Sequence, residues 1–170
     1  MKNPDKSYLT ATSRKTMSCP CRWLVNHDLL IGQVLDYGCG RGDDVRLLLE
    51  QKNICVDHFD PYYFNYPLIG KYDTIFCIYV LNVIPESDTR RQVIQNIQDL
   101  LRDENSKAYI AVRNDRKCLT GYTKRGTFQG YVTLDAGIEK DTLHTLKNAY
   151  TMYVITKNQT VNEHLTIITN

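Results

Sequence analysis

The residues best suited to hold a ligand lie in a glycine-rich segment near residue 40. Residues 34–42 read Val-Leu-Asp-Tyr-Gly-Cys-Gly-Arg-Gly and stand between a strand-like run and a helix-like run. Gly38 and Gly40 can adopt positive φ and let a ligand approach bare backbone. The helix that begins near Asp43 presents its N-terminus, which favours an anionic group such as a carboxylate. The segment therefore predicts a ligand-binding turn.

An acidic residue follows the next strand-like run, in a position where a carboxylate could bind a ribose. Asp60 ends the next strand-like run, residues 54–59, and a carboxylate in that position can hold both ribose hydroxyls. Asp57 is a weaker candidate because it lies inside the run. A nicotinamide-binding loop would have glycine or alanine at residue 43, where Asp43 instead places negative charge near the site of a pyrophosphate. The spacing therefore disfavours a dinucleotide.

Strand and helix patterns alternate through residue 112. Apolar strand-like runs occupy residues 33–37, 54–59, 72–81 and 107–112. Helical patterns occupy residues 20–30, 43–50 and 86–102. Continuous apolar runs are typical of parallel strands covered on both faces. We therefore predict an α/β fold with a mostly parallel sheet and helices on both faces.

The pattern beyond residue 112 is less regular. Residues 113–135 are predicted to form a loop, and residues 139–148 a helix. Residues 150–156 and 165–168 are predicted to form a closing strand pair, which gives the sheet an antiparallel end. We take residues 1–18 as an irregular N-terminal arm and residues 19–170 as a single domain of ordinary size.

The glycine segment resembles the first motif of class I methyltransferases. This resemblance implies a Rossmann-like fold and S-adenosyl-L-methionine as the cofactor. It also implies that Asp36, Gly38 and Gly40 contact the methionine end of the cofactor and that Asp60 binds its ribose. Tyr79, at the end of the third predicted strand, would face the cofactor or the methyl acceptor.

The sequence departs from this family's pattern directly after Asp60. Only eleven residues, 61–71, precede the next predicted strand, whereas a full class I fold has a helix, a strand and a helix there. We therefore predict that the usual edge strand is lost or reduced. Four aromatic residues near the link either cover the adenine and the exposed edge or fill the core: Phe59, Tyr62, Tyr63 and Phe64.

The motifs of base-methylating enzymes are incomplete in this chain. Residues 79–85 read Tyr-Val-Leu-Asn-Val-Ile-Pro and lack the Pro-Pro-aromatic sequence of the amino-group enzymes. No cysteine lies between Cys77 and Cys118, which disfavours the cysteine-nucleophile mechanism of the cytosine-carbon enzymes. Asn82 is predicted to orient an amine acceptor, and Tyr79 is the second catalytic candidate.

Three blocks, residues 35–44, 79–84 and 125–129, resemble a narrower group. They look like the methyltransferase domain of enzymes associated with DNA phosphorothioation and like small methyltransferases of phages and mobile elements, which implies DNA modification. Arg113, Lys124 and Arg125 are then predicted to hold phosphate, and Phe128 to stack on a base. The alternative for residues 123–129 is a simple turn with Phe128 in the core.

Basic residues are concentrated in two segments. The net charge is +2, but residues 1–25 and residues 113–125 each carry +4, which leaves −6 on the remainder. Arg14, Lys15 and Arg116 join the candidates above if both segments flank the cleft. This distribution indicates either a polyanionic partner such as a nucleic acid, or basic residues that merely keep an arm and a loop solvated. A small-molecule acceptor and a non-catalytic cofactor-binding subunit with a protein partner are the alternatives.

Other classes of protein are disfavoured. The six cysteines lack zinc spacing, so we expect reduced structural thiols and no metal site. No apolar run reaches the roughly 20 residues that span a bilayer. The N-terminus has no apolar signal-peptide core. We therefore expect a soluble, cytoplasmic protein that does not bind membranes.

Overall fold

A six-stranded sheet forms the centre of the protein. The computed structural model describes residues 6–115, 120–143 and 145–166. The strands, in chain order, are β1 Val34–Tyr37, β2 Asp57–Phe59, β3 Thr74–Ile78, β4 Lys107–Arg113, β5 Gly121–Tyr122, β6 Phe128–Gln129, β7 Tyr131–Leu134, β8 Gly137–Asp141, β9 Tyr150–Ile155 and β10 Glu163–Thr166. The helices are α1 Cys19–Asn26, α2 Asp43–Lys52 and α3 Ser87–Leu100, with short 3-10 helices at Lys6–Thr10 and Leu81–Val83.

The strand order of the central sheet is β2-β1-β3-β4-β9-β8. Strands β1 to β4 are parallel, and β9 is antiparallel to both of its neighbours. The predicted mostly parallel sheet with an antiparallel end is therefore confirmed. Because the four parallel strands point the same way, the loops that follow them meet at one edge, where ligands bind in such folds.

Helices cover both faces of this sheet. On one face Ile75 of β3 packs in a core with Ile97 of α3. On the other face Phe76 packs with Leu24 of α1 and Leu48 of α2. Burial of one such side chain stabilises the fold by about 1.5–3 kcal/mol. The two-sided cover explains why β1, β3 and β4 are almost continuously buried and apolar.

The reduced edge predicted from the sequence is confirmed. Strand β2 is the edge strand, and the chain from 61 to 73, all of it described, contains no helix or strand. The link begins with a tight turn in which the Phe64 amide donates to the Asp60 carbonyl at 3.0 Å. Loss of the usual edge strand leaves the remaining strand pairs of the sheet intact.

The predicted helix at residues 139–148 is wrong. Residues up to 141 form β8, which pairs with β9. The Thr142 amide then donates to the Tyr150 carbonyl at 3.1 Å, while His144 lies outside the described residues. Pairing with β9 satisfies the backbone of this segment, so tertiary context overrides the local pattern.

The predicted closing strand pair is also wrong. Strand β9 lies between β4 and β8 in the central sheet, whereas β10 pairs with β7 in a separate two-stranded sheet. The predicted loop at 113–135 contains β5, β6 and β7, and its residues 116–119, like residues 167–170, lie outside the described part of the chain. These pairings join segments far apart in sequence, which local patterns do not reveal.

Neither a membrane span nor a disulfide occurs in the described residues. No helix there is long and apolar enough to cross a membrane. The five cysteines described are free, and Cys21 and Cys77 are buried as small apolar side chains. Cys118 lies outside the described residues.

Candidate functional site

The glycine-rich turn connects β1 to α2 at the carboxyl edge of the sheet. Gly38 and Gly40 have positive φ values of 84° and 56°. The Gly38 amide donates to the Phe59 carbonyl at 2.7 Å, which ties the turn to the end of β2. A Cβ atom on Gly38 would lie 2.3 Å from Cγ2 of Val80. Both backbone conformation and space therefore require glycine at residue 38.

Asp60 holds this turn and lines the cleft beside it. Its Oδ2 accepts from the Gly40 amide at 3.0 Å, and its Oδ1 accepts from the amides of Tyr62 and Tyr63. Each carboxylate oxygen has two lone pairs, so Oδ2 can accept one further hydrogen bond. Asp57 is exposed and does not line the cleft. The geometry therefore favours Asp60 over Asp57 as the ribose ligand.

Asp36 is a buried carboxyl group beside the glycine turn. The residue is only 4% exposed, and its carboxyl forms no hydrogen bond within the described part of the chain. Burial raises its pKa well above the ordinary value, the carboxylate of Asp44 adds to the rise, and the Arg14 guanidinium opposes it. A cationic group bound nearby would stabilise the ionised form of Asp36.

A cleft of about 460 Å³ opens over these residues. Its floor is formed by the glycine turn and by Asp60, and one wall by the first half of α3. The α3 side chains in that wall are Thr89, Gln92, Val93 and Asn96. The N-terminal arm forms another wall, and residues of the segment 78–84, at the end of β3, also line the cleft. The cleft is therefore enclosed by segments that lie far apart in the sequence.

Carboxylates of α2 anchor the N-terminal arm on the cleft. The Arg14 amide donates to Oδ2 of Asp43, and the Ser18 amide donates to Oδ1 of Asp44, each at 2.7 Å. The Arg14 guanidinium also lies 3.8 Å from the Asp44 carboxylate. The two acidic residues at the start of α2 therefore hold the arm in addition to interacting with the helix dipole.

Aromatic residues of the link hold the outer part of the arm. The ring of Tyr8 stacks on Tyr62 with centroids 4.0 Å apart and planes at 12°. The Tyr63 hydroxyl donates to the Tyr8 carbonyl at 3.1 Å, and Nε of Arg41 donates to the Ala11 carbonyl at 3.2 Å. At least two of the four link aromatics thus cover the edge of the cleft by packing on the arm.

Tyr79 follows β3 at the boundary between this cleft and a second cavity. It lines both, and its backbone has an unusual φ of 61°. Its amide donates to the Ala111 carbonyl at 2.8 Å, which fixes this conformation. Positive φ in a bulky residue is strained and is often found at functional sites. Burial raises the pKa of Tyr79, so its phenol stays neutral at ordinary pH.

The second cavity has a volume of about 530 Å³ and adjoins the cleft. The two share parts of their walls, namely Thr10, Thr12, Arg14, Tyr79 and Val83. The arm and Arg113 at the end of β4 both contribute basic side chains to its lining. Of the two basic segments predicted to flank the cleft, the arm and Arg113 therefore contribute to this lining.

Asn82 is completely buried, and its side chain is occupied by backbone groups. Its Oδ1 accepts from the Arg113 amide at 2.9 Å, and its Nδ2 donates to the Gly130 carbonyl at 2.8 Å. These contacts join the end of β3 to β4 and to the segment before β7. Asn82 also lines the second cavity, but because its amide oxygen and nitrogen already bond to backbone groups, the geometry favours a positioning role over direct contact with an acceptor amine.

Replacing Asn82 with alanine should lower the free energy of unfolding by about 1–3 kcal/mol, because buried backbone groups lose their partner. Urea denaturation measures this loss. Cofactor affinity at low temperature should stay within about threefold of wild type, since Asn82 does not line the cofactor cleft. Unchanged stability together with lost turnover would instead indicate a direct catalytic role.

The other predicted substrate residues are separated in the structure. Arg113 lines the second cavity and contacts Oδ2 of Asp115 at 2.7 Å. Phe128 is buried and packs edge-on against Tyr122, so the predicted base stacking does not fit and the core alternative is correct. Lys124 and Arg125 are exposed at the tip of the β5–β6 hairpin and line neither cavity. Arg116 lies outside the described residues.

Two groups of cleft residues were missed by the sequence reasoning. Thr89, Gln92 and Asn96 have helical spacing, and this polar row beside the apolar face of α3 was an available signal. Tyr8 gave no signal, because the arm has no periodic pattern and reaches the cleft only through tertiary contacts.

Comparisons with known proteins identify the fold. No protein-family model matches the chain, and no curated protein matches it. Among solved structures, the N-methyltransferase NodS from Bradyrhizobium japonicum WM9, in complex with S-adenosyl-L-homocysteine, is similar with a TM-score of 0.51 and 12% identity over 79% of this chain and 84% of NodS. A structure from work on conversion of a disulfide bond into a thioacetal group during echinomycin biosynthesis has a TM-score of 0.50 and 14% identity, covering 85% of this chain and 83% of that one.

The chain has the Rossmann-like fold of class I methyltransferases, with a reduced edge after Asp60. At identities this low the similarity concerns the fold, and the activity must be inferred from the residues of the site.

Proposed function

We propose that this chain is an S-adenosyl-L-methionine-dependent methyltransferase. The main support is the cleft at the carboxyl edge of the sheet, where the glycine turn lies beside Asp60 and the buried Asp36. S-adenosyl-L-methionine supplies an activated methyl group on a positively charged sulfur and needs no pyrophosphate site. The proteins of the same fold that carry this cofactor or its product make the assignment chemically consistent.

The residues of the cleft fit this cofactor. Gly38 and Gly40 leave bare backbone for the methionine end, and Asp60 has a free acceptor position for a ribose hydroxyl. The cleft is lined by Asp43, Asp44 and Asp60 together with Arg14 and Arg41. Its carboxylates suit a cofactor that carries a sulfonium and an ammonium group, because opposite charges attract strongly where water is partly excluded. An ammonium near Asp36 would offset the cost of ionising that carboxyl.

The second cavity favours catalysis over simple cofactor storage. It opens beside the cleft with Tyr79 at the boundary, so an acceptor bound there would lie next to the cofactor's reactive end. Alignment of the acceptor is the protein's main contribution to such a displacement. The neutral phenol of Tyr79 can donate or accept a hydrogen bond at that boundary and so orient the acceptor.

The identity of the acceptor stays a prediction. The sequence resemblance to DNA-modification and phage enzymes favours a nucleic acid or a nucleotide-like molecule. The basic side chains beside the cleft support an anionic acceptor of either size. Contact of Lys124 and Arg125 with the acceptor would require a strand that extends beyond the cavity, because neither residue lines it.

Calorimetric titration tests the proposal. Wild-type protein should bind S-adenosyl-L-methionine and S-adenosyl-L-homocysteine, and it should not bind NAD. Asp60→Ala should weaken binding at least about tenfold, because a hydrogen bond to a charged group and the anchor of the Gly40 amide are both lost.

Asp57→Ala is the matched control for this titration. Asp57 belongs to the same edge strand but lies outside the cleft, so its loss should leave affinity unchanged. Absence of heat with both cofactor forms, from a sample that unfolds cooperatively, would contradict the proposed function. Equal affinity in Asp60→Ala and wild type would contradict only the role of Asp60.

A further inference from the structure

The lining of the second cavity is strongly basic. Its cationic residues are Arg14, Lys15, Arg22 and Arg113, and within the described residues no carboxylate lines it. The neighbouring cleft has Asp43, Asp44 and Asp60 in its lining beside Arg14 and Arg41. We propose that the second cavity holds a phosphate group of the methyl acceptor, an inference that rests on the proposed methyltransferase function.

Buried acidic residues orient two of these arginines. Nη2 of Arg113 contacts Oδ2 of Asp115 at 2.7 Å, and Nη1 of Arg14 lies 3.8 Å from Oδ2 of Asp44. Both aspartates are at most 8% exposed, whereas both arginine side chains are 37% exposed. A guanidinium has five N–H donors, more than one carboxylate oxygen can take. A guanidinium can therefore bridge a carboxylate and a second anion.

Phosphate is the anion that this arrangement suits best. The planar guanidinium fork binds two phosphate oxygens at once and does so from a fixed orientation. Gln129 and Asn148 add neutral side chains to the same lining and can supply further hydrogen bonds. An acceptor held in this way would present the rest of its structure towards Tyr79 at the cleft boundary.

Such a phosphate could belong to a small phosphorylated molecule or to a nucleic-acid strand. The cavity's volume of about 530 Å³ accommodates a ligand of small-molecule size. The β5–β6 hairpin tip lies outside it but near the arm, since a Cβ atom on Gly126 would be 3.4 Å from Nζ of Lys6. A strand would continue from the cavity to Lys124 and Arg125, whereas a small molecule would not.

Inorganic pyrophosphate is the probe for the test. Calorimetry is carried out on wild type saturated with S-adenosyl-L-homocysteine, on Arg113→Gln and on Arg113→Lys. We expect Arg113→Gln to weaken pyrophosphate binding about tenfold and Arg113→Lys to restore part of it. Arg91→Gln removes the same charge from an exposed position on α3 and should bind as wild type does.

A labelled ten-nucleotide single strand then identifies the source of the phosphate. If the acceptor is a strand, its affinity falls steeply with salt, and Lys124→Ala/Arg125→Ala weakens it while pyrophosphate binding is unchanged. If pyrophosphate binds and the strand does not, the acceptor is a small phosphorylated molecule.

Two results would overturn the phosphate site. One is a wild type that binds S-adenosyl-L-homocysteine but not pyrophosphate. The other is equal pyrophosphate affinity in wild type, Arg113→Gln and Arg91→Gln. Failure of S-adenosyl-L-homocysteine itself to bind would count against the proposed function instead, so the two failures are distinguishable.

Discussion

Replacing Gly40 with valine should reduce affinity for S-adenosyl-L-methionine at least about 100-fold. Gly40 lines the cleft with a φ of 56°, a conformation that a β-branched residue adopts only under strain of about 1–3 kcal/mol. Its Cβ atom would lie 3.1 Å from Cβ of Ala11 in the arm, and the valine methyl groups would need still more room. Relief of this clash would move the turn or displace the arm, and each change disrupts the cleft.

Gly126→Val is the matched control for Gly40→Val. Gly126 has a similar φ of 74° at the hairpin tip, and its nearest contact would be the flexible end of Lys6. Both variants should lose comparable stability in thermal unfolding. Only Gly40→Val should lose the heat of S-adenosyl-L-methionine binding in calorimetry. Equal cofactor affinity in the two variants would contradict the assignment of the glycine turn to the cofactor site.

Replacing Glu163 with alanine should lower the free energy of unfolding by about 3–5 kcal/mol. Glu163 of β10 forms a two-point ion pair with Arg90 of α3, at 2.8 and 3.2 Å, and both side chains are at most 2% exposed. The loss of Glu163 would leave a buried guanidinium without its counter-charge. Denaturant titration measures the change.

Arg91→Ala is the control for this experiment. Arg91 follows Arg90 in the chain and pairs with Asp88 at 2.9 Å, but both side chains of this pair are largely exposed to water. Exposed pairs contribute about 0–1 kcal/mol, so this variant should unfold almost as wild type does. A loss as large in Arg91→Ala as in Glu163→Ala would show that burial is not the deciding factor.

The same pair predicts a dependence of stability on pH. Burial alone would raise the pKa of Glu163, but hydrogen bonds from Arg90 and Ser87 outweigh it and hold that pKa below its ordinary value. Because the folded-state pKa is depressed, the stabilisation is present above the unfolded pKa and is lost as pH falls through the folded one. The unfolding free energy should therefore decline below about pH 4, and Glu163→Gln should flatten that decline.

Local sequence patterns were enough to predict the fold class and the location of the cleft. The apolar runs of β1, β3 and β4 are local signals, because a strand buried on both faces is mostly apolar. The glycine turn and Asp60 are also local, since positive φ and the end of a strand are properties of a few adjacent residues. The shortness of the link after Asp60 was enough to predict the missing edge strand.

The surroundings of that cleft depend on tertiary contacts that local patterns do not reveal. The arm reaches it through hydrogen bonds to Asp43 and Asp44, and β10 pairs with β7 about thirty residues earlier. The burial of Asn82 and Phe128 depends on partners that come together only when β3, β4 and the hairpin segment pack. Such contacts depend on which distant segments satisfy each other's backbone and apolar groups, and no spacing along the chain encodes that choice.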